Sequence, residues 1–124
     1  MPAVAFTIEP PRRKWVITMD TERVSSLSLE TLRFPVFADG AGAIYNPTAD
    51  AVAVAFMAAS NTNPAGGDWK IGGWDTTAIG TYVATCLVGP GGAATPAPGS
   101  WYVWVRITDN PEIIVREVGE LTVD

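Results

Sequence analysis

Pro98-Gly99-Ser100-Trp101-Tyr102-Val103-Trp104-Val105-Arg106-Ile107-Thr108-Asp109-Asn110-Pro111-Glu112, followed by Ile113-Ile114-Val115-Arg116-Glu117-Val118-Gly119-Glu120-Leu121-Thr122-Val123, is where the chain declares its architecture. Two runs rich in β-branched and aromatic residues flank Asp109-Asn110-Pro111, a cluster that favours a tight turn. In the first run Trp101, Val103, Val105 and Ile107 share one face at period two, and Tyr102, Trp104, Arg106 and Thr108 share the other. That pattern predicts a strand of a β-sandwich with one face in the core and one towards solvent.

The same grammar continues backwards. Residues 89–99 form a low-complexity Gly/Pro/Ala loop, and 82–88 read as another strand. Between Asp50 and Ser60, Val52, Val54 and Phe56 alternate with Ala51, Ala53 and Ala55, so a strand with an unusually small outer face is expected. Leu32, Phe34 and Val36 alternate with Arg33, Pro35 and Phe37, and the proline assigns that strand to a sheet edge or a bulge. Residues 14–19 read as an extended piece, and Val4, Phe6 and Ile8 mark a first short one, ended by Pro10-Pro11. Asp39-Gly40-Ala41-Gly42 and Asn46-Pro47 are turn signals. No segment has a helical period and no repeat is visible. The expectation is an all-β, immunoglobulin-like antiparallel β-sandwich of seven to nine strands. Residues 29–124 form that domain, and residues 1–28 are an N-terminal extension or arm.

Composition narrows the function. The 124 residues, 48% of them hydrophobic, suffice for one domain with a core, and 12 glycines and 10 prolines imply many turns. No run approaches the ~20 apolar residues of a membrane helix. The N-terminus lacks the pattern of a signal peptide, which predicts a protein made in a cytoplasm. A net charge of −5, with only Arg12-Arg13-Lys14 as a basic cluster, argues against nucleic acid as partner. The single cysteine, Cys86, allows no internal disulfide, and its strand-like surroundings make it a small buried apolar residue.

Chemistry-bearing constellations are sparse. There is no histidine, which removes the commonest general base and metal ligand. Asp68 and Asp75, beside Trp69 and Trp74, are the one carboxylate pair that suggests glycoside hydrolysis, without any further signature. Asp109, Asn110 and Glu112 offer oxygen ligands for calcium, but turn chemistry accounts for the same residues. No catalytic residue, metal or cofactor is therefore expected. The five tryptophans are the sharpest contact candidates. Trp101 is assigned to the core by its phase. Trp104, with Tyr102 and Arg106 on the opposite face, is assigned to protein contact ahead of sugar stacking. Arg12, Arg13, Lys14 and Trp15 are the contact candidates of the N-terminal arm, by strand addition or by draping on an acidic surface.

Several blocks together resemble a known family. They are Asn46-Pro47-Thr48-Ala49-Asp50-Ala51-Val52, Gly67-Asp68-Trp69-Lys70-Ile71-Gly72-Gly73-Trp74, Leu87-Val88-Gly89-Pro90-Gly91-Gly92, and the closing run from Pro98 with Gly119-Glu120-Leu121-Thr122-Val123. In this order they resemble the small immunoglobulin-like virion proteins of tailed actinobacteriophages, over roughly residues 29–124. The resemblance implies a non-enzymatic structural protein of the virion, assembled in the host cytoplasm. Its partners would be the major capsid protein or other virion proteins, in a homo-oligomer or symmetric array. Capsid decoration is the first expectation and a head–tail junction or tail component the second. A carbohydrate-binding module for host recognition is the alternative from another class.

Overall fold

The computed structural model describes residues 14–40, 43–76 and 81–124. Alternation at period two is realised where it was clearest. Strand β9 (Gly99–Asp109) buries Val103, Val105 and Ile107 completely, and leaves Tyr102, Trp104, Arg106 and Thr108 half-buried on its other face. It pairs antiparallel with β10 (Glu112–Val123) and with β5 (Ala51–Met57). The remaining strands are β1 (Lys14–Ile17), β2 (Glu22–Val24), β3 (Glu30–Gly40), β4 (Ala43–Ile44), β6 (Lys70–Ile71), β7 (Gly73–Asp75) and β8 (Tyr82–Val88).

These strands make two sheets. One runs β1-β3-β8-β7, with β4 added to β3, and the other runs β2-β10-β9-β5-β6. The chain changes sheet between β1 and β2, β2 and β3, β4 and β5, β6 and β7, and β8 and β9. This is the immunoglobulin-like order, with the first strand split between the sheets. Ten strands are found among the described residues, two of them only two residues long. All pairings between these strands are antiparallel except β2 with β10.

The core lies between the sheets. Phe34, Val54, Val103, Val105, Ile107 and Leu121 have no solvent exposure. In antibody domains a disulfide ties the second strand to the penultimate one. Here the equivalent strands β3 and β9 contribute Phe34 and Val105 instead. Cys86, on β8, is buried as expected, and burial pushes its thiol pKa up to about 11. Gly72 shows how closely the layers meet. It lies between β6 and β7, and a Cβ there would come within 2.8 Å of Val52 Cγ1 and 2.9 Å of the Thr85 carbonyl oxygen.

Three expectations need correction. The boundary at residue 28 falls inside the domain, since β1 pairs with β3, β2 pairs with β10, and Trp15, Ile17 and Val24 are core residues. Strand β3 is central, between β1 and β8, although it contains Pro35. It tolerates proline because β1 ends at Ile17, opposite Val36. Thr18 donates its N–H to the Pro35 carbonyl at 3.1 Å, and the reciprocal donor that proline lacks would be needed only where β1 leaves the sheet.

The third correction concerns the tryptophans. Trp15, at 6% exposure, is the core tryptophan, so it offers no surface to a partner. Its ring meets Tyr45 edge-on at 5.9 Å. The Tyr45 hydroxyl reaches Asp50 Oδ2 at 3.0 Å and Asp109 Oδ1 at 3.2 Å, and Trp74 Nε1–H donates to the Asp50 carbonyl at 2.9 Å. Residues from both sheets thus close one end of the sandwich. Asp109, at 7% exposure, is the last inward position of β9 rather than an open turn residue. Among the described residues no group of three His, Cys, Asp or Glu side chains is placed to hold a metal.

Trp101 sits at the opposite end, half-buried, where β9 begins. Its Nε1–H donates to the Ala97 carbonyl four residues upstream at 2.8 Å. In antibody domains a tyrosine near the start of the corresponding strand makes a comparable bond back to the upstream backbone. Trp101→Phe should keep the packing and lose this bond, lowering unfolding free energy by about 1 kcal/mol in urea titrations; no change would mean that the corner is held by packing alone. Burial first, and then the hydrogen bond to Asp50, raise the Tyr45 pKa from 10.0 to about 12. The neutral hydroxyl is favoured in the folded state, so its contribution is whole below pH 10 and is lost as pH rises towards 12. Urea titrations across that window should show this loss, and Tyr45→Phe should abolish the Tyr45-linked part. Equal pH dependence in the parent and the variant would contradict the assignment.

Candidate protein-interaction face

Because Val103, Val105 and Ile107 must point inwards, the alternate residues of β9 and their cross-strand neighbours build the outer face of the β2-β10-β9-β5-β6 sheet. Register arranges them in rows. Ala51, Thr108 and Ile113 form one, and Ala53, Arg106 and Val115 the next, with Ile71 beyond Ala53. Ala55, Trp104 and Glu117 follow, then Met57, Tyr102 and Glu120.

Arg106 and Trp69 are the polar and aromatic centre of the second row. The guanidinium carbon lies 4.6 Å from the centroid of the Trp69 ring, a cation–π stack. Trp69 is held there by the short 3-10 turn Gly66–Asp68, whose Asp68 carboxylate accepts the Ala65 N–H at 2.7 Å. A shallow groove of about 230 Å³ runs beside the stack, lined by Ala51, Ala53, Trp69, Lys70, Arg106 and Thr108 among others. Ile71, 76% exposed, also lines it, and Ile113, 61% exposed, lies beside the lining residue Thr108 in register. The alanine face expected of β5 is therefore real at Ala51 and Ala53.

Trp104 behaves differently. It is half-buried, and its Nε1–H is buried with no acceptor among the described residues. Ala55, in register beside it, is fully covered although it belongs to the outer row. Glu117, on its other side, accepts from Ser60 Oγ at 3.4 Å and from the Asn61 N–H at 3.2 Å, pinning the loop after β5. Trp104 thus shields its own sheet, and the protruding apolar side chains of the face are Ile71 and Ile113.

Of the seven residues singled out for contact, Tyr102, Trp104 and Arg106 share this face. Lys14 is exposed at the start of β1 in the other sheet, Trp15 is in the core, and Arg12 and Arg13 lie outside the described residues. Ile71 and Ile113 were not foreseen. Ile71 belongs to a two-residue strand broken by Gly72-Gly73, too short for any period. Trp69 was visible as a candidate, but its partner lies 37 positions away in sequence.

Two other surfaces stand out. An open cleft of about 430 Å³ at the Trp101 end is lined by Phe56, Asp68, Lys70, Thr95, Pro96 and Trp101. An apolar hollow of about 230 Å³ on the four-strand path includes Val16, Pro35, Phe37 and Tyr82. The carboxylate pair considered for hydrolysis does not assemble. Asp68 caps the turn before β6 in one sheet, whereas Asp75 sits on β7 in the other, bonded to Arg33 at 2.5 Å. Neither a family model, nor a curated protein, nor a solved structure matches this chain.

Proposed function

We propose that this chain is a non-enzymatic structural protein of a tailed-phage virion, and that it decorates or stabilises the capsid through protein–protein contacts. The observation that supports a contact role is the outer face of the β2-β10-β9-β5-β6 sheet. It combines a Trp69–Arg106 stack, two protruding isoleucines and an alanine-floored groove. Tryptophan, tyrosine and arginine dominate the energetics of protein interfaces, and small residues let a partner backbone approach. The capsid as partner rests on the resemblance of the sequence blocks to immunoglobulin-like virion proteins. In a symmetric array, modest contacts to the major capsid protein or to neighbouring copies gain strength from multivalency rather than from chemistry. A head–tail junction or tail position would use the same face with fewer copies.

The cleft beside Trp101 favours a second reading. An indole among Asp68, Lys70 and Thr95 is the kind of surface on which a sugar ring can stack, as in a carbohydrate-binding module of a host-recognition apparatus.

Co-sedimentation with cognate empty capsids separates these readings. The parent protein should pellet with capsids and not with host cell-wall glycan. The double variant Ile71→Asp with Ile113→Asp should lose about tenfold or more in capsid affinity. Binding to glycan without binding to capsids would overturn the decoration reading.

A further inference from the structure

The geometry points to a carboxylate-accepting site on this face: the Arg106 guanidinium, stacked on Trp69 beside the Ala51–Ala53 groove, receives an Asp or Glu side chain of the partner protein. This rests on the contact reading of the face and names the chemistry of its partner.

Arg106 has no polar cross-strand neighbour: Ala53 and Val115 flank it, and neither carries a polar side-chain atom. Among the described residues no carboxylate or carbonyl accepts a hydrogen bond from its guanidinium, and the stack on Trp69 is its one specific contact. A guanidinium carries five N–H donors in a planar fork, so a half-buried one without an acceptor is incompletely satisfied. Lys70, on the same groove, adds a second cation without an ion pair among the described residues. Glu117, on the same face, is one row away and held by Ser60 and Asn61, and Asp68, beside Trp69 in sequence, accepts from the Ala65 N–H.

Stacking on an indole fixes the plane of the guanidinium while leaving donors at its rim unused, the arrangement that suits bidentate binding of a carboxylate. The apolar surroundings decide between anions. A polyanion such as nucleic acid needs a stripe of cations, whereas this chain carries a net charge of −5 and the groove holds one Arg and one Lys. A single carboxylate on an otherwise apolar segment matches both the charge and the walls, with Ile71 and Ile113 placed to meet apolar flanking residues. Excluding water from the pair would strengthen it, and would make it a determinant of partner choice.

The test uses the full chain and two peptide probes, acetyl-Leu-Glu-Leu-amide and acetyl-Leu-Gln-Leu-amide, followed by ¹H–¹⁵N NMR. The Glu peptide should give saturable shifts at the Trp69 indole N–H, the Arg106 Nε–H and the amides of Ala51 and Ala53. The Gln peptide should bind about tenfold or more weakly. Arg106→Gln should abolish the preference for Glu, and Arg106→Lys, which keeps the charge but not the fork, should retain only part of it. Equal shifts from both peptides, or a preference that survives in Arg106→Gln, would overturn the site. If Arg106→Gln does not fold, the two peptides on the parent chain still decide. Peptide failure alongside lost capsid binding in the Ile71→Asp, Ile113→Asp variant would remove the carboxylate site and leave the contact face standing.

Discussion

Everything in this sandwich depends on two apolar faces packing together without a covalent tie. Phe34 on β3 and Val105 on β9 occupy the strands that a disulfide bridges in antibody domains, and both are fully buried. With that bond absent, the sheets are held by close packing and by the closure of one end, where Trp15 packs edge-on against Tyr45 and hydrogen bonds link Tyr45, Asp50, Asp109 and Trp74. Close packing of this kind tolerates little change in volume, and Gly72 shows the margin at the point where the chain crosses between layers.

The same constraint produces the outer face. A strand cannot bury Val103, Val105 and Ile107 without turning Tyr102, Trp104 and Arg106 away from the core. Their neighbours on β5 are Met57, Ala55 and Ala53 and on β10 are Glu120, Glu117 and Val115, so the exterior of the sheet is lightly charged and rich in aromatic surface. Where the chain supplies its own cover, as around Ala55 and Trp104, the face is closed. Where it does not, along Ala51, Ala53, Arg106 and Ile71, it is open to a partner.

Much of this was legible in the sequence, because period two reports directly which residues share a face. The inward run of β9, the alternation of β3 and β5, and buried Cys86 followed from it. What period two does not report is where a strand sits in its sheet. Pro35 suggested an edge, yet β3 is central, because the length of β1 and not the proline decides which backbone donor is needed. Nor does it report where the buried layer ends, so Trp101 falls at the margin and Trp15, from the supposed arm, fills the core. The Trp69–Arg106 stack joins residues far apart in sequence through a two-residue strand, and only the folded register brings them together.

Under the proposed function, the outer face of the β2-β10-β9-β5-β6 sheet is the surface that meets the partner. Hydroxyl-radical footprinting of the protein, free and on assembled capsids, tests it most directly. Trp69, Ile71 and Ile113 should be protected on the particle, while Val16, Phe37 and Leu87 on the opposite sheet remain as reactive as in the free protein. Protection of Val16, Phe37 and Leu87, with Trp69 and Ile71 unchanged, would contradict the account.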